Sequence, residues 1–346
     1  MNLLVRLPNW LGDVVLSAGF VRALHQRHPA ARLHLVAKAG LLPLVPLLVP
    51  AGVPFVAHGF DKRAWPGPLG AWRFGRQLRA EHGPFDRYYS LPNSFSAALL
   101  GLASGAPLRL GYAADGRGPL LSQALPRPAR GQLHRADEYL ALLSADPAPP
   151  VAPPLPGPGQ ADISLRAPAG PASAGQRSIR LNFNSEAQAR RMPLAQAVRL
   201  TMAVHEAAPA YALGLLGSAG EAARVAAIHA ALPADVRQVT VNLAGTTDLP
   251  GLVAQLAGAA LLLSTDSGPA HVAHALGVPL LVCFGPGDER ETGPYRPGPA
   301  AQVLRCPGPV PCGGCVGNRC RFGDEPPCLL HLDVADVARR VRALLG

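Results

Sequence analysis

The feature that most constrains this chain is one pattern written twice. Short apolar runs alternate with segments of three- and four-residue apolar spacing, once on each side of a proline-rich stretch. Before that stretch, Asn2–Leu7, Leu33–Ala37, Asp86–Leu91 and Leu108–Tyr112 read as strands. A helix is expected from the turn after Pro8 to about His28, with Val14, Val15, Ala18, Val21 and Leu24 on one face and Pro29 ending it. After the stretch, strands are expected at Ser178–Phe183, Tyr211–Leu216, Val239–Leu243, Ala259–Ser264 and Pro279–Phe284. Helices are expected at Leu194–Ala207, Glu221–Leu232, Leu249–Gly258 and Pro269–Leu276. Strands as apolar as LLLS and LLVCF are covered on both faces, so the class is α/β with parallel β-α-β units.

Asp146–Gln160 holds seven prolines, and a second Ala/Pro/Gly run follows at Ala167–Gly175. Such a chain lacks backbone donors and behaves as a semi-rigid spacer. The expected organisation is therefore a first domain over residues 1–145, a linker over 146–177 and a second domain over 178–332 with a Cys-rich segment at 306–328. A closing helix is expected over 333–346. A low-complexity insertion within one domain is the alternative.

Charge narrows the class of partner. The net charge is +10, and residues 1–145 carry 16 Lys+Arg against 7 Asp+Glu, whereas residues 146–346 carry 16 against 15. A basic half suits an anionic partner, with a solvated Arg-rich surface as the bland alternative. Basic strands interleaved with aromatics are missing, so nucleic acid is not the expected partner. The longest apolar run, Leu41–Ala57, contains Pro43, Pro46, Pro50 and Pro54 and cannot be a regular spanning helix. With Arg6 and Pro8 interrupting the first apolar run, a cytoplasmic location is expected.

Four strand-to-helix turns carry chemistry-bearing residues. In Ser264–His271, Ser267 and Gly268 stand where the first helical amides are unsatisfied, Pro269 suits the first turn, and His271 lies one turn in. This is a prepared anion site, with Asp266 at the strand's carboxyl end; an ordinary N-cap and a core histidine are the alternative. Gly12-Asp13 follows the first strand, where a carboxylate is either a cap or a general base. Asn182–Pro193 brings Ser185 and the Arg190-Arg191 pair, suited to phosphate through the bidentate guanidinium. Gly217–Glu221 is a weaker signal, lacking the full Gly-x-Gly-x-x-Gly spacing.

The order of these pieces is itself distinctive. Asn242-Leu243-Ala244-Gly245-Thr246-Thr247 leads to Thr265-Asp266-Ser267-Gly268-Pro269-Ala270-His271, then Ala275-Leu276-Gly277-Val278-Pro279 and Phe284-Gly285-Pro286. With Gly12-Asp13-x-x-Leu16-Ser17 and Arg190-Arg191-Met192-Pro193, the chain resembles glycosyltransferase family 9, the ADP-heptose:lipopolysaccharide heptosyltransferases. The resemblance implies the GT-B arrangement, two Rossmann-like doubly wound domains facing a cleft, and inverting transfer from a sugar nucleotide. It implies Asp13 as general base, with Gly12 on the acceptor side. It places Ser185 at phosphate, Arg190 at phosphate or the donor sugar, Glu221 at ribose, and Thr246 and Thr247 beside adenine. Asp266 falls at the donor sugar, and Ser267, Gly268 and His271 around the diphosphate. The implied partners are ADP-heptose and an anionic, lipid-linked core oligosaccharide, with peripheral contact at the inner face of the inner membrane. Three positions depart from the family's usual pattern: Arg190 for Lys, Met192 for Trp, and Ala18-Gly19 for a Thr-Pro type pair. A different donor or acceptor, or a non-catalytic binder, are the competing readings. The chain has no Asp-x-Asp triplet, so no catalytic metal is expected.

Cys312, Cys315, Cys320 and Cys328 offer four thiolates in the tail. A structural zinc or iron–sulfur site stands there against free thiols or a disulfide.

Overall fold

Parallel strands need a crossover between them, and the apolar helices of this chain supply it. The computed structural model describes residues 1–147, 152–166, 178–312 and 314–346. In the first half β1 (Asn2–Arg6), β2 (Arg32–Lys38), β3 (Phe55–Phe60), β4 (Arg87–Ser90), β5 (Leu108–Ala113) and β6 (Gln123–Pro126) form one parallel sheet, ordered β3-β2-β1-β4-β5-β6. In the second half β7 (Ser178–Asn182), β8 (Ala212–Leu215), β9 (Thr240–Asn242), β10 (Leu261–Thr265), β11 (Leu280–Cys283) and β12 (Ala301–Leu304) form another, ordered β12-β11-β10-β7-β8-β9. Each is a doubly wound sheet that reverses its direction of growth beside its first strand, at β1/β4 and at β7/β10. Backbone contacts divide the chain into two compact units, Met1–Arg166 and Ala167–Gly346.

The core strands are apolar and closed to solvent, as Leu3, Leu4, Val5, Leu261, Leu262 and Leu263 show. The helix expected through His28 is two helices, Leu11–Leu16 and Ala18–Arg27. The break is at Ser17, whose hydroxyl donates back to the Val14 carbonyl at 2.7 Å, competing with the helical ladder. β3, β6 and β12 lie outside the strands expected from periodicity. All are edge strands, half-exposed and flanked by proline, so they lack the continuous apolar run that marks a buried strand. The Leu41–Ala57 run becomes a short 3-10 helix, the helix Val45–Leu48 and the start of β3, with Leu44, Val45 and Leu48 buried. Among the described residues no helix is long and apolar enough to cross a membrane.

The proline-rich stretch is only partly described, since 148–151 and 167–177 lie outside the described residues. Residues 152–166 pack on the first unit, with Ala161, Ile163 and Leu165 buried. Asp162 pairs with Arg22 at 2.7 Å. A Cβ at Gly19 would come within 2.8 Å of the Ala161 Cβ, so Gly19 is what lets this segment lie against its helix. At the head of the stretch, Asp146 has a fully buried carboxylate that accepts from His28 Nε2 at 2.7 Å and pairs with Arg87 and, at 3.4 Å, with Arg27. Asp146 thus ties the head of the proline-rich stretch to β4 and to the helix Ala18–Arg27.

Asp146→Ala should strand these cations and destabilise the first unit by about 3–5 kcal/mol. All three tryptophans, Trp10, Trp65 and Trp72, lie in that unit. Urea unfolding followed by tryptophan fluorescence therefore reads the loss directly.

Candidate functional site

In the second unit the carboxyl ends of β7, β8, β9 and β10 are knitted together by polar side chains. Asn182, the last residue of β7, donates from its side-chain amide to Ser267 Oγ at 2.9 Å and to Ser264 Oγ at 3.2 Å. The Thr265 hydroxyl donates to the Asn184 carbonyl at 2.9 Å, and Asn184 Nδ2 donates to the Leu216 carbonyl beyond β8 at 2.9 Å. Gly245, after β9, donates its amide to the Gly217 carbonyl at 3.0 Å. Gly245 has φ 71°, and a Cβ there would come within 3.1 Å of the Ala219 backbone, so only glycine allows the two turns to meet so closely. The Asn184 Oδ1 is buried without a hydrogen-bond partner among the described residues.

Onto this frame fall the expected donor-site residues. Asp266, 3 % exposed, follows β10, and Ser267 precedes the helix Gly268–Ala275. Among the described residues no side chain caps that helix, because Ser267 Oγ is turned toward Asn182 and Ser264. Its first turn therefore presents amides and the positive dipole end. His271, 8 % exposed, lines one small hollow with Asp266, Phe284 and Thr292. Ser185 is buried at the end of the loop that follows β7.

The two neighbouring arginines do different work. Arg190 reaches across the switch point to Asp266, Nη1 to Oδ2 at 3.1 Å, with its Nε buried and unpartnered among the described residues. Arg191 turns back to brace its own loop, donating from Nε to the Ser185 carbonyl at 2.8 Å. Met192 is core, fully buried and packed in the cluster with Phe183. Glu221 is engaged as a reciprocal cap, its Oε2 accepting from the Ser218 amide and hydroxyl, both at 2.8 Å. Thr246 and Thr247 are exposed on the adjoining turn, the Thr246 hydroxyl donating to the Leu243 carbonyl at 2.8 Å.

The cysteine segment serves this site as a brace, which the sequence reading missed. Gln188, beside Arg190, accepts from the Cys320 amide at 2.8 Å and donates to the Gly323 carbonyl and, at 3.0 Å, to Asp324. The Ala189 amide donates to the Asn318 carbonyl at 3.1 Å, and the Gly287 amide, in the turn near Asp266, to the Cys315 carbonyl at 2.7 Å. Cys312, Cys315 and Cys328 line a cavity of about 350 Å³ with Phe284 and Arg305. Burial first, then Cys312, Cys315 and Cys320, push the Cys328 thiol up to about 11. All six cysteines are free thiols, and among the described residues the tail cysteines do not gather at metal-ligand spacing.

In the first unit Gly12 is buried and Asp13 stands in the first turn of the helix Leu11–Leu16, directly after β1. The Asp13 carboxylate is 26 % exposed and lies 4.0 Å from Arg135 Nε. Tyr139 flanks it, its hydroxyl held well above the ordinary phenol range by burial first and by Asp13 next, so it remains a neutral donor. At the same edge Arg117 is fully buried, donating to Ser90 Oγ at 3.0 Å, the Tyr112 carbonyl at 2.8 Å and Asn93 Oδ1 at 2.9 Å. It fixes the turn after β4 opposite Asp13. Nothing in the sequence distinguishes Arg117 from the other arginines; only its tertiary partners do.

Residues 71–323 match the model of glycosyltransferase family 9 (heptosyltransferase). The chain is 30 % identical over 326 residues to lipopolysaccharide heptosyltransferase 2 of Escherichia coli, 88 % of each chain being covered. It is 28 % identical over 310 residues to lipooligosaccharide heptosyltransferase 2 of Haemophilus influenzae, covering 85 % of this chain and 86 % of that one. Among solved structures, the E. coli ADP-heptose LPS heptosyltransferase II superposes with a TM-score of 0.79 at 26 % identity, over 100 % of this chain and 98 % of that one.

The Gln188 brace predicts a local effect. Gln188→Ala should speed amide exchange in 188–191 and 318–324 by about tenfold, as loss of ~1.4 kcal/mol of hydrogen bonding would. Hydrogen exchange read by mass spectrometry, with β10 as the unaffected control, checks it.

Proposed function

The chain belongs to glycosyltransferase family 9, the heptosyltransferase family, and from that premise we propose that it transfers heptose from ADP-heptose to an anionic inner-core lipopolysaccharide acceptor, inverting the anomeric carbon. The observation that carries this reading is the meeting of Arg190 and Asp266 at 3.1 Å beside the uncapped start of the helix Gly268–Ala275. Cation, carboxylate and free amides stand together at the switch point, where α/β sheets bind nucleotides.

Breaking the sugar–diphosphate bond leaves negative charge on the departing ADP. Arg190, the Gly268 end of the helix and His271 are the groups we assign to that charge, as fixed donors aimed where it develops. Arg190 leaves its pairing with Asp266 to bind phosphate, which frees Asp266 to hold the sugar hydroxyls. Ser185 adds a phosphate contact, Glu221 the ribose, and Thr246 and Thr247 the adenine side. Asp13 accepts the proton of the attacking acceptor hydroxyl. Its orientation is supported by Arg135 and Tyr139, and Gly12 leaves room for the acceptor. The basic first half draws the anionic, lipid-linked acceptor, which puts the working enzyme on the cytoplasmic face of the inner membrane. The tail thiols stay outside the transfer step; a structural zinc or iron on them would need the four sulfurs to close in.

Two outcomes test the assignment. Asp13→Asn should retain ADP-heptose binding by calorimetry while kcat falls by about 10²–10⁴; near-normal transfer would remove Asp13 as the base. Transfer assayed by mass spectrometry of truncated lipid acceptors should continue undiminished in excess EDTA, at a temperature below unfolding. Loss restored by magnesium would overturn the metal-free mechanism.

A further inference from the structure

Three histidines come together in the first unit, remote in sequence and untouched by the transfer chemistry. His34 is on β2, His58 on the neighbouring β3, and His82 ends the helix Gly67–His82 that crosses over them. One ring nitrogen of each lies within 4.8 Å of the others, and His34 Nδ1 is 3.1 Å from His58 Nε2. The His34 and His58 rings stack at 5.4 Å with 6° between planes, and His82 closes on both at 4.9 Å. We propose that His34, His58 and His82 are the ligands of a divalent transition metal, zinc foremost, that clasps β2, β3 and this helix.

The chemistry of the set favours this over plain packing. Histidines placed to fill a core find carbonyl or carboxylate partners, as His28 does with Asp146 and His274 with the Tyr295 carbonyl. His34 is 1 % exposed, yet its Nε2 has no partner among the described residues, and its Nδ1 faces another imidazole. Imidazole suits zinc, nickel and copper, and three of them leave the fourth tetrahedral position to water. Tetrahedral zinc ligands at about 2.0–2.1 Å from the metal stand roughly 3.3 Å apart, so small ring rotations close the set. Packing limits those rotations: His34 meets Phe85 edge-on at 5.1 Å. A neutral imidazole offers a free ring-nitrogen lone pair to a metal ion. His58 and His82 are half-buried, which leaves an entry path, and Glu81, 3.7 Å from His82, supplies negative charge. Arg32 at the start of β2 opposes the ion, so zinc affinity should be moderate.

His34 sits near the start of its strand and His82 at the end of a helix running back toward the strand starts, whereas Asp13 follows the carboxyl end of β1. The ion is therefore structural. It would lock an edge strand to its covering helix.

The test uses the reduced, EDTA-stripped full chain titrated with zinc, beside His58→Gln and His82→Gln. Both replace half-buried side chains, and His82 lies at a helix end where substitution is tolerated. Loss of a ligand should cost at least the roughly 10–100-fold in affinity that loss of an outer partner costs. We expect the wild type to bind one zinc that each variant holds at least tenfold more weakly. The zinc-induced rise in the tryptophan-detected Tm should vanish with it. Cobalt separates this site from the tail cysteines, because thiolate ligands add near-ultraviolet charge-transfer bands that imidazoles do not. Equal zinc uptake by all three proteins, or bound cobalt showing thiolate bands alone, would overturn the proposal.

Discussion

At the seam between β7 and β10 the chain leaves the sheet toward opposite faces, and side chains link the two exits in place of strand pairing. That constraint organises the second unit. Asn182 and Thr265 span the seam with hydrogen bonds, and Asn184 extends the link to β8. The polar groups left over, the Arg190–Asp266 pair and the helix start at Gly268, face the crevice because the sheet cannot use them. The first unit repeats the plan. Arg117 holds the loop after β4 in place, and Asp13 follows β1 on the other side of the seam.

A charged pair at such a place is poised rather than stabilising. Asp266 is nearly buried and Arg190 partly so, and an ion pair taken out of water gains little net energy once desolvation is counted. Under the proposed function, its value is to hold both groups in position until a ligand with its own negative charge competes for the guanidinium. The same argument explains the brace from the cysteine segment. The loop that carries Arg190 has a fixed base, which Gln188 supplies through backbone groups around Cys320 and Gly323.

Structural and chemical polar clusters separate cleanly by where they sit in each fold. Asp146, with Arg27, His28 and Arg87, lies away from the strand carboxyl ends and anchors the head of the proline-rich stretch. The three histidines gather where β2 and β3 meet the end of the helix Gly67–His82. The residues assigned to transfer follow strand ends. Sharing one topology, the two units carry these residues at the carboxyl ends of their strands, where helix dipoles and unpaired amides converge.

The amino-acid order alone determined the α/β class, the central strands and the turn at Asp266–His271, because buried parallel strands and helix starts leave local signatures. It also marked Asp13 and Arg190, since each lies in a strand-to-helix connection. It did not mark β3, β6 or β12, whose edge positions carry no apolar run, nor the break at Ser17, which one hydroxyl decides. Only the tertiary structure decided that Arg190 meets Asp266 while Arg191 braces its loop, that Glu221 caps Ser218, and that Gln188 joins the tail to the site. It alone gathered His34, His58 and His82. Periodicity reports which face of an element is buried, whereas which polar side chain meets which depends on how separate elements are set side by side.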